Sequence, residues 1–507
     1  MLVKRTIAGV PPYTDWEGEK EMRKSGILMH ITSLPGPYGV GTMGKEAYRF
    51  ADFLHKAGQK YWQVLPLSPT GYGDSPYQSC STYAGNPYLI DLDLLVEQGL
   101  LEQAEIDESN WGDNAEKVDF GLLYVNRLNL LRKAYARFRD EKALTEFCAA
   151  NENWIPEFAH YMALKDQFGG KSWYEWTEKL KYREINAVNE SFRALNKEIK
   201  FYLFVQYLFF TQWERLRNYC HDLGISIIGD VPIYVPYDSV EVWSEPGYFC
   251  LDETLTPTAV AGCPPDYFSE DGQLWGNPLY NWAAHKKDGY RWWLRRLTQA
   301  AKLYDVIRID HFRGFAGYYS IPFGAENARE GKWLEGPGLD FLNAVKKALP
   351  ETALIAEDLG FLTPDVHKLR DDANLPGMKV LEFAFDGDGK NPYLPHNHIK
   401  NSVCYLGTHD NTTLKHWITE DPERAARAVV YMGQPKDIHW GMISLCLSSV
   451  ADLAVVQMQD YLELDKEARM NFPGTCGNNW TWRAKDGFAT EPLAERIKSL
   501  TRTYGRV

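Results

Sequence analysis

Short apolar runs recur along this chain, and six of them stop on an acidic residue. ISIIGD ends at Asp230, VIRID at Asp310, LIAE at Glu357, EFAFD at Asp386, YLGTHD at Asp410 and VVQMQD at Asp460. The aliphatic and β-branched runs at 26–31, 61–67, 225–231, 306–310, 353–357, 379–385, 403–407 and 453–458 suit strands buried on both faces of a parallel sheet. Amphipathic helical patterns lie between several of them, at 45–57, 207–223, 290–303, 339–349, 364–373 and 422–432. Eight strands alternating with helices predict an α/β fold, a (β/α)8 TIM barrel. A doubly wound open sheet is the structural alternative. In a barrel the acidic strand ends share one rim, the rim where active sites form. A single such acid serves equally well as the cap of the next helix. Six on one rim would repel one another unless they are used.

A barrel needs about 250 residues, and the chain has 507. The surplus is expected as insertions into one domain spanning 1–507. Residues 94–205, after the second strand, read as a helical insertion rich in charge, Trp and Tyr. Residues 232–287, after the third, are rich in Pro, Gly, Asp and aromatics without clear periodicity. A loop of that length inside a compact domain is usually functional.

Composition excludes several classes of function. The net charge of −13 repels phosphate backbones, so no nucleic-acid partner is expected. No apolar run is long enough to span a membrane, and the N-terminal stretch lacks the apolar segment of a signal peptide. The expected location is the cytoplasm. The eight cysteines include no CxxC pair and read as reduced thiols. GVGTMG at 39–44 matches the glycine fingerprint of a dinucleotide site. The acid required some twenty residues later is missing, because the next strand ends VLPLSPT. There is no HExxH, no GxSxG, no zinc-spaced His/Cys cluster and no calcium loop, so neither metal nor cofactor is expected. Many of the 17 Trp, 30 Tyr and 23 Phe residues sit beside Gly, Asn, Pro and Asp. Such exposed rings suit the apolar faces of sugars; ordinary loop packing is the other reading.

RIDHF carries chemistry. Residues two apart on a strand share a face, so Arg308 and Asp310 project together. A neighbouring guanidinium is expected to lower the Asp310 pKa and hold it ionised, as a carboxylate nucleophile needs; a buried ion pair is the alternative. Glu357 ends an apolar run, which raises its pKa and suits a general acid. Two carboxyl groups pushed in opposite directions are what retaining glycoside cleavage requires. Asp410 completes a triad able to grip ring hydroxyls, and His409 precedes it.

Here the sequence resembles a known family. GDVPIYV (229–235), RIDHFRG (308–314), IAEDLG (355–360) and THDN (408–411) follow the order of the four sequence regions of the α-amylase clan. WQVLPLSPTGYGDSPYQ (62–78), AGNPYLIDL (84–92) and AGCPPDYFSEDGQLWGNP (261–278) resemble the amylomaltases, or disproportionating 4-α-glucanotransferases, of glycoside hydrolase family 77. The resemblance implies Asp310 as nucleophile, Glu357 as acid/base and Asp410 as transition-state stabiliser. It implies that Arg308 and His409 contact the nucleophile and the bound sugar, and that Asp230, the first-region Asp of the clan, belongs to the substrate-binding residues. Tyr77 would stack near the reacting sugar, Tyr267, Phe268 and Trp275 would line the acceptor side, and Phe383 and Asn479 would bind substrate. It further implies the barrel without a C-terminal β-sandwich, α-1,4-glucans as donors, glucose or glucan as acceptor, and loop 262–278 as the part that excludes water. A retaining hydrolase of the same clan is the runner-up. A non-catalytic glucan-binding protein would need a broken triad, and a dinucleotide oxidoreductase would need a bound cofactor. Oligomeric state is not legible in the sequence.

Overall fold

The computed structural model describes residues 23–265, 270–360 and 362–507. Its strands in chain order are β1 (Lys24–Leu28), β2 (Tyr61–Gln63), β3 (Ser226–Val231), β4 (Ala259–Cys263), β5 (Gln273–Pro278), β6 (Val306–Ile309), β7 (Gly317–Pro322), β8 (Lys332–Glu335), β9 (Ala353–Ala356), β10 (Gly377–Val380), β11 (Ser402–Tyr405) and β12 (Leu453–Gln457). Eight of them close a barrel in the order β1-β12-β11-β10-β9-β6-β3-β2. Each barrel pairing is parallel. The eight runs legible in the sequence are these eight strands, and the open-sheet alternative is excluded.

Register explains which residues meet inside. Asp230 pairs with Arg308 and Arg308 with Ile355, so these side chains share one layer. Tyr405 reaches across the interior to donate to Gln63 Oε1 at 2.8 Å. The outward residues pack on the surrounding helices. Trp62 meets Phe50 of the helix Lys45–Lys56 edge to face, and Cys404 lies 3.7 Å from Cys446 on the helix Ile438–Ser448.

Between β2 and β3 the chain is mostly helical, ending in the 27-residue helix Asn196–Asp222. That helix buries an aromatic and aliphatic stripe that includes Phe201, Phe204, Phe209 and Trp213. Two of its buried glutamines also bond to backbone. Gln206 accepts from Gly85 N at 2.7 Å and donates to Gly85 O at 3.0 Å. Gln212 does the same to Asp91, at 2.7 and 3.1 Å. Buried amides satisfied in this way fix the 84–92 segment as a paired strand would. GVGTMG packs against that segment. A Cβ on Gly44 would fall 1.9 Å from Asp91 Oδ2, so this glycine serves close approach, not a nucleotide.

The stretch 232–287, read as irregular loop, contains β4 and β5. They join β7 and β8 in an antiparallel sheet ordered β5-β4-β7-β8. The sequence pattern hid this sheet because glycine and proline interrupt its short strands. Tyr267 and Phe268 lie outside the described residues. Among the described residues no helix is long and apolar enough to cross a membrane.

Candidate active site

The carboxyl ends of β3, β6, β9 and β11 bring together Asp230, Arg308, Asp310, Glu357, His409 and Asp410. At the base is a buried ion pair. Arg308 Nη1 donates to both oxygens of Asp230, at 2.8 and 2.6 Å, and to Asp310 Oδ1 at 3.2 Å. Arg308 keeps 3 % of its side chain exposed and Asp230 none, against 28 % for Asp310. The guanidinium is thus committed chiefly to Asp230. This corrects the expected depression of Asp310. Burial, opposed by Arg308 and reinforced by Asp230 and Asp410, pushes its carboxyl up to about 6. The buried-pair alternative describes Asp230 and Arg308; Asp310 sits at its open side.

Glu357 follows β9 as Asp310 follows β6. Ile309 is in register with Ala356, and Glu357 N donates to Ile309 O at 3.1 Å, so the two acids are neighbours across one strand spacing. Retaining glycosidases hold their two carboxyl groups about 5–5.5 Å apart, and adjacent strand ends in register are where such a pair can be built. Two backbone amides hold the Glu357 carboxyl: His311 N to Oε2 at 2.7 Å and Leu359 N to Oε1 at 2.8 Å. Burial outweighs them and, with the charge of Asp310, raises Glu357 to about 8. The expected direction for a general acid is present.

Tyr77 ties the other side together. Its hydroxyl donates to Asp230 Oδ2 at 2.9 Å and lies 2.9 Å from His409 Nε2. The hydroxyl proton goes to Asp230, so its oxygen accepts from an Nε2–H of His409. Burial lowers the His409 pKa, which keeps the ring neutral. Tyr77 and His409 stack with centroids 5.3 Å apart, and both meet Trp480. The ring expected to stack near a sugar thus packs on His409 in this structure.

Asp410 is oriented by residues that the motifs did not single out. Asn471 Nδ2 donates to its Oδ1 at 2.6 Å, and Arg469 Nη2 to its backbone carbonyl at 2.6 Å. Asn479, expected to bind substrate, bonds Phe472 N and Thr475 O within its own loop. Phe383 meets Tyr393 edge to face at 5.5 Å and is 37 % exposed. Trp275 on β5 meets His311 at 4.8 Å. Two of the six acidic strand ends are not part of the cluster. Asp386 is exposed, 4.0 Å from Arg427, while buried Asp460 accepts from Leu414 N at 2.8 Å at the start of the helix Leu414–Glu420.

The chain as a whole matches known proteins. Residues 29–489 match the family model described as 4-alpha-glucanotransferase. The chain belongs to the 4-alpha-glucanotransferase family. It is 47% identical over 485 residues to a 4-alpha-glucanotransferase of Clostridium butyricum, covering 94% of this chain and 100% of that one. To a Thermus thermophilus 4-alpha-glucanotransferase it is 45% identical, over 96% of this chain and 99% of the relative. The solved amylomaltase from Streptococcus agalactiae, in complex with acarbose, superposes with a TM-score of 0.93 at 41% identity, over 96% of this chain and 99% of that one. Asn471, Arg469, Trp480 and His311 remain the residues that motif reading missed. The asparagine and arginine lie in ARMNF, with no charge pattern or spacing to single them out; the link to Asp410 is made only in three dimensions.

Proposed function

We propose that this member of the family transfers a segment of an α-1,4-glucan to the 4-hydroxyl of a glucan or glucose by a retaining mechanism. Asp310 attacks the anomeric carbon while Glu357 protonates the departing glycosidic oxygen, and a glucanyl ester forms on Asp310. The shortened glucan leaves. An acceptor 4-hydroxyl then attacks the same carbon, Glu357 removes its proton, and the Asp310 carboxylate is released. Two inversions at one carbon give net retention. Asp410, held by Asn471, is placed to grip ring hydroxyls, where hydrogen bonds strengthen in the transition state. Asp230, Arg308, Tyr77 and His409 form the rigid floor on which Asp310 is presented.

The observation that carries this reading is the in-register pair Asp310 and Glu357. Glu357 is buried, held by two amides and raised, while Asp310 keeps 28 % of its side chain exposed. Trp275 supports transfer over hydrolysis, because its ring meets His311, whose amide bonds Glu357, and an indole offers a face on which an acceptor sugar can stack. The test is incubation of the purified protein with maltotriose, without added metal or cofactor, with products resolved by length over time. Longer maltodextrins with glucose released support transfer. Glucose and maltose alone, with nothing longer than the trisaccharide, would mean hydrolysis.

A further inference from the structure

His311 directly follows the candidate nucleophile and has a left-handed backbone, φ 50° and ψ 47°. Few side chains accept that conformation, and histidine is among those enriched there. The turn serves two contacts at once. It points the His311 amide at Glu357 Oε2, 2.7 Å away, and lets Phe312 N donate to the Glu357 carbonyl at 3.1 Å. It also turns the imidazole outward, so that it meets the Trp275 indole at 88° with centroids 4.8 Å apart. Trp275 is itself held by a bond from its Nε1 to Gln273 Oε1 at 3.0 Å and by contact with Tyr234. One residue therefore touches the acid/base through its backbone and the acceptor-side ring through its side chain.

We propose that His311 is a positioning residue that couples Trp275 to Glu357, so that a sugar seated on Trp275 fixes the acid/base for attack by sugar rather than by water. This inference rests on the transferase reading above. Free of a sugar, Trp275 restrains His311 only through their edge-to-face contact. With an acceptor stacked on it, the indole is clamped, the imidazole is pinned, and the amide that orients Glu357 is held at the moment the 4-hydroxyl arrives. Water bound without a sugar gains no such restraint.

The test uses His311→Gly and His311→Asn, which both tolerate the left-handed backbone, together with Trp275→Ala, Trp275→Phe and the double variant His311→Asn/Trp275→Ala. Transfer and hydrolysis are read from the same maltotriose digest, and kcat and acceptor KM are separated with labelled glucose. The expected result is a transfer-to-hydrolysis ratio lowered roughly 3- to 10-fold in both His311 variants, the scale of one ring–ring contact. The loss appears in kcat for transfer and leaves acceptor KM nearly unmoved, because the sugar still has its indole. Trp275→Ala raises acceptor KM and lowers the ratio. The double variant lowers the ratio no further than Trp275→Ala alone, because a single contact is lost in both. Trp275→Phe keeps an edge-to-face partner and most of the ratio. Equal losses of transfer and hydrolysis in the His311 variants, or additive losses in the double variant, overturn the coupling and leave the transferase reading intact. A wild-type digest with no product longer than maltotriose overturns that reading first, and the coupling with it.

Discussion

Glu357→Gln tests the site through stability as well as rate. The carboxyl is raised from 4.5 to about 8. At about 1.36 kcal/mol per tenfold, that rise is a penalty of roughly 5 kcal/mol for keeping Glu357 ionised in the fold. The sign follows from proton counting. Between pH 4.5 and about 8 the folded state binds a proton that the unfolded state has lost, so stability falls as pH rises across this window. Glutamine removes the penalty but also one favourable contact. Its Oε1 can accept from one of the two amides at His311 and Leu359, while its NH2 faces the other donor. That mismatch costs about 1–3 kcal/mol at every pH. The variant should therefore be about as stable as wild type, or less so, at pH 5 and more stable by roughly 2–4 kcal/mol at pH 8 and above. Thermal midpoints of the two proteins across this range decide it. A midpoint difference that does not change with pH would refute the argument, because Glu357 would then titrate alike in the folded and unfolded chains.

The same substitution should lower turnover of maltotriose by about 10²- to 10⁴-fold, and far less for a maltosyl fluoride, whose leaving group needs no proton; equal losses on both would remove Glu357 from the acid role. Asp310→Asn should abolish turnover of both substrates, a fall of roughly 10⁴- to 10⁶-fold, with maltotriose binding retained by calorimetry; retained turnover would move the nucleophile elsewhere. Wild-type kcat/KM should follow a bell, rising as Asp310 ionises near 6 and falling as Glu357 loses its proton near 8, with apparent limits that belong to the pair; a flat profile from pH 5 to 9 would contradict the assignment. Tyr77→Phe removes the bridge between Asp230 and His409 and should cost about 1–3 kcal/mol of transition-state stabilisation, or roughly 5- to 150-fold in kcat/KM; a change under twofold would make the bridge structural only. Asn471→Ala should lower kcat by roughly tenfold, as expected for a lost charge-assisted bond to Asp410, with little change in thermal midpoint.

The barrel was legible because both faces of each strand are buried, and a buried parallel strand needs aliphatic residues over its whole length. The four acids at the heart of the site were legible for a related reason: a carboxyl group ending such a run is costly unless used. That argument overreached at Asp386 and Asp460. One is simply exposed, and the other serves the ordinary structural role of bonding the first amide of a helix. The antiparallel sheet β5-β4-β7-β8 was not legible. Its strands are short, three of the four carry glycine or proline, and Val260, Tyr319 and Ile321 pack in a small cluster of their own rather than in the barrel core. Asn479 and Asn471 make the same point at one residue's scale. Both are asparagines in one loop, and only the fold shows which amide reaches Asp410 and which closes the loop upon itself.

The electrostatics of the floor follow from how Arg308 divides its contacts. Two bonds to Asp230 at 2.6 and 2.8 Å and one to Asp310 at 3.2 Å leave the nucleophile only partly compensated. Had Arg308 been committed to Asp310, that carboxylate would be stabilised as an ion and weakened as a nucleophile. Committing it to Asp230 instead anchors the cation deep in the barrel, where removing either partner would strand a buried charge. Asp310 is then raised by burial and by the neighbouring carboxyls of Asp230 and Asp410. Arg308 thus stands among the carboxyl groups of Asp230, Asp310 and Glu357, at the place where the proposed mechanism has the sugar develop positive charge as its bond breaks. A site with more acid than base, kept rigid by Tyr77 and His409, favours that oxocarbenium-like state over the neutral ground state. Burial first, and the charge of Asp310 with it, make ionisation of Glu357 harder. In the proposed mechanism Asp310 and Glu357 thus take opposite roles although burial raises both, Asp310 to about 6 and Glu357 to about 8.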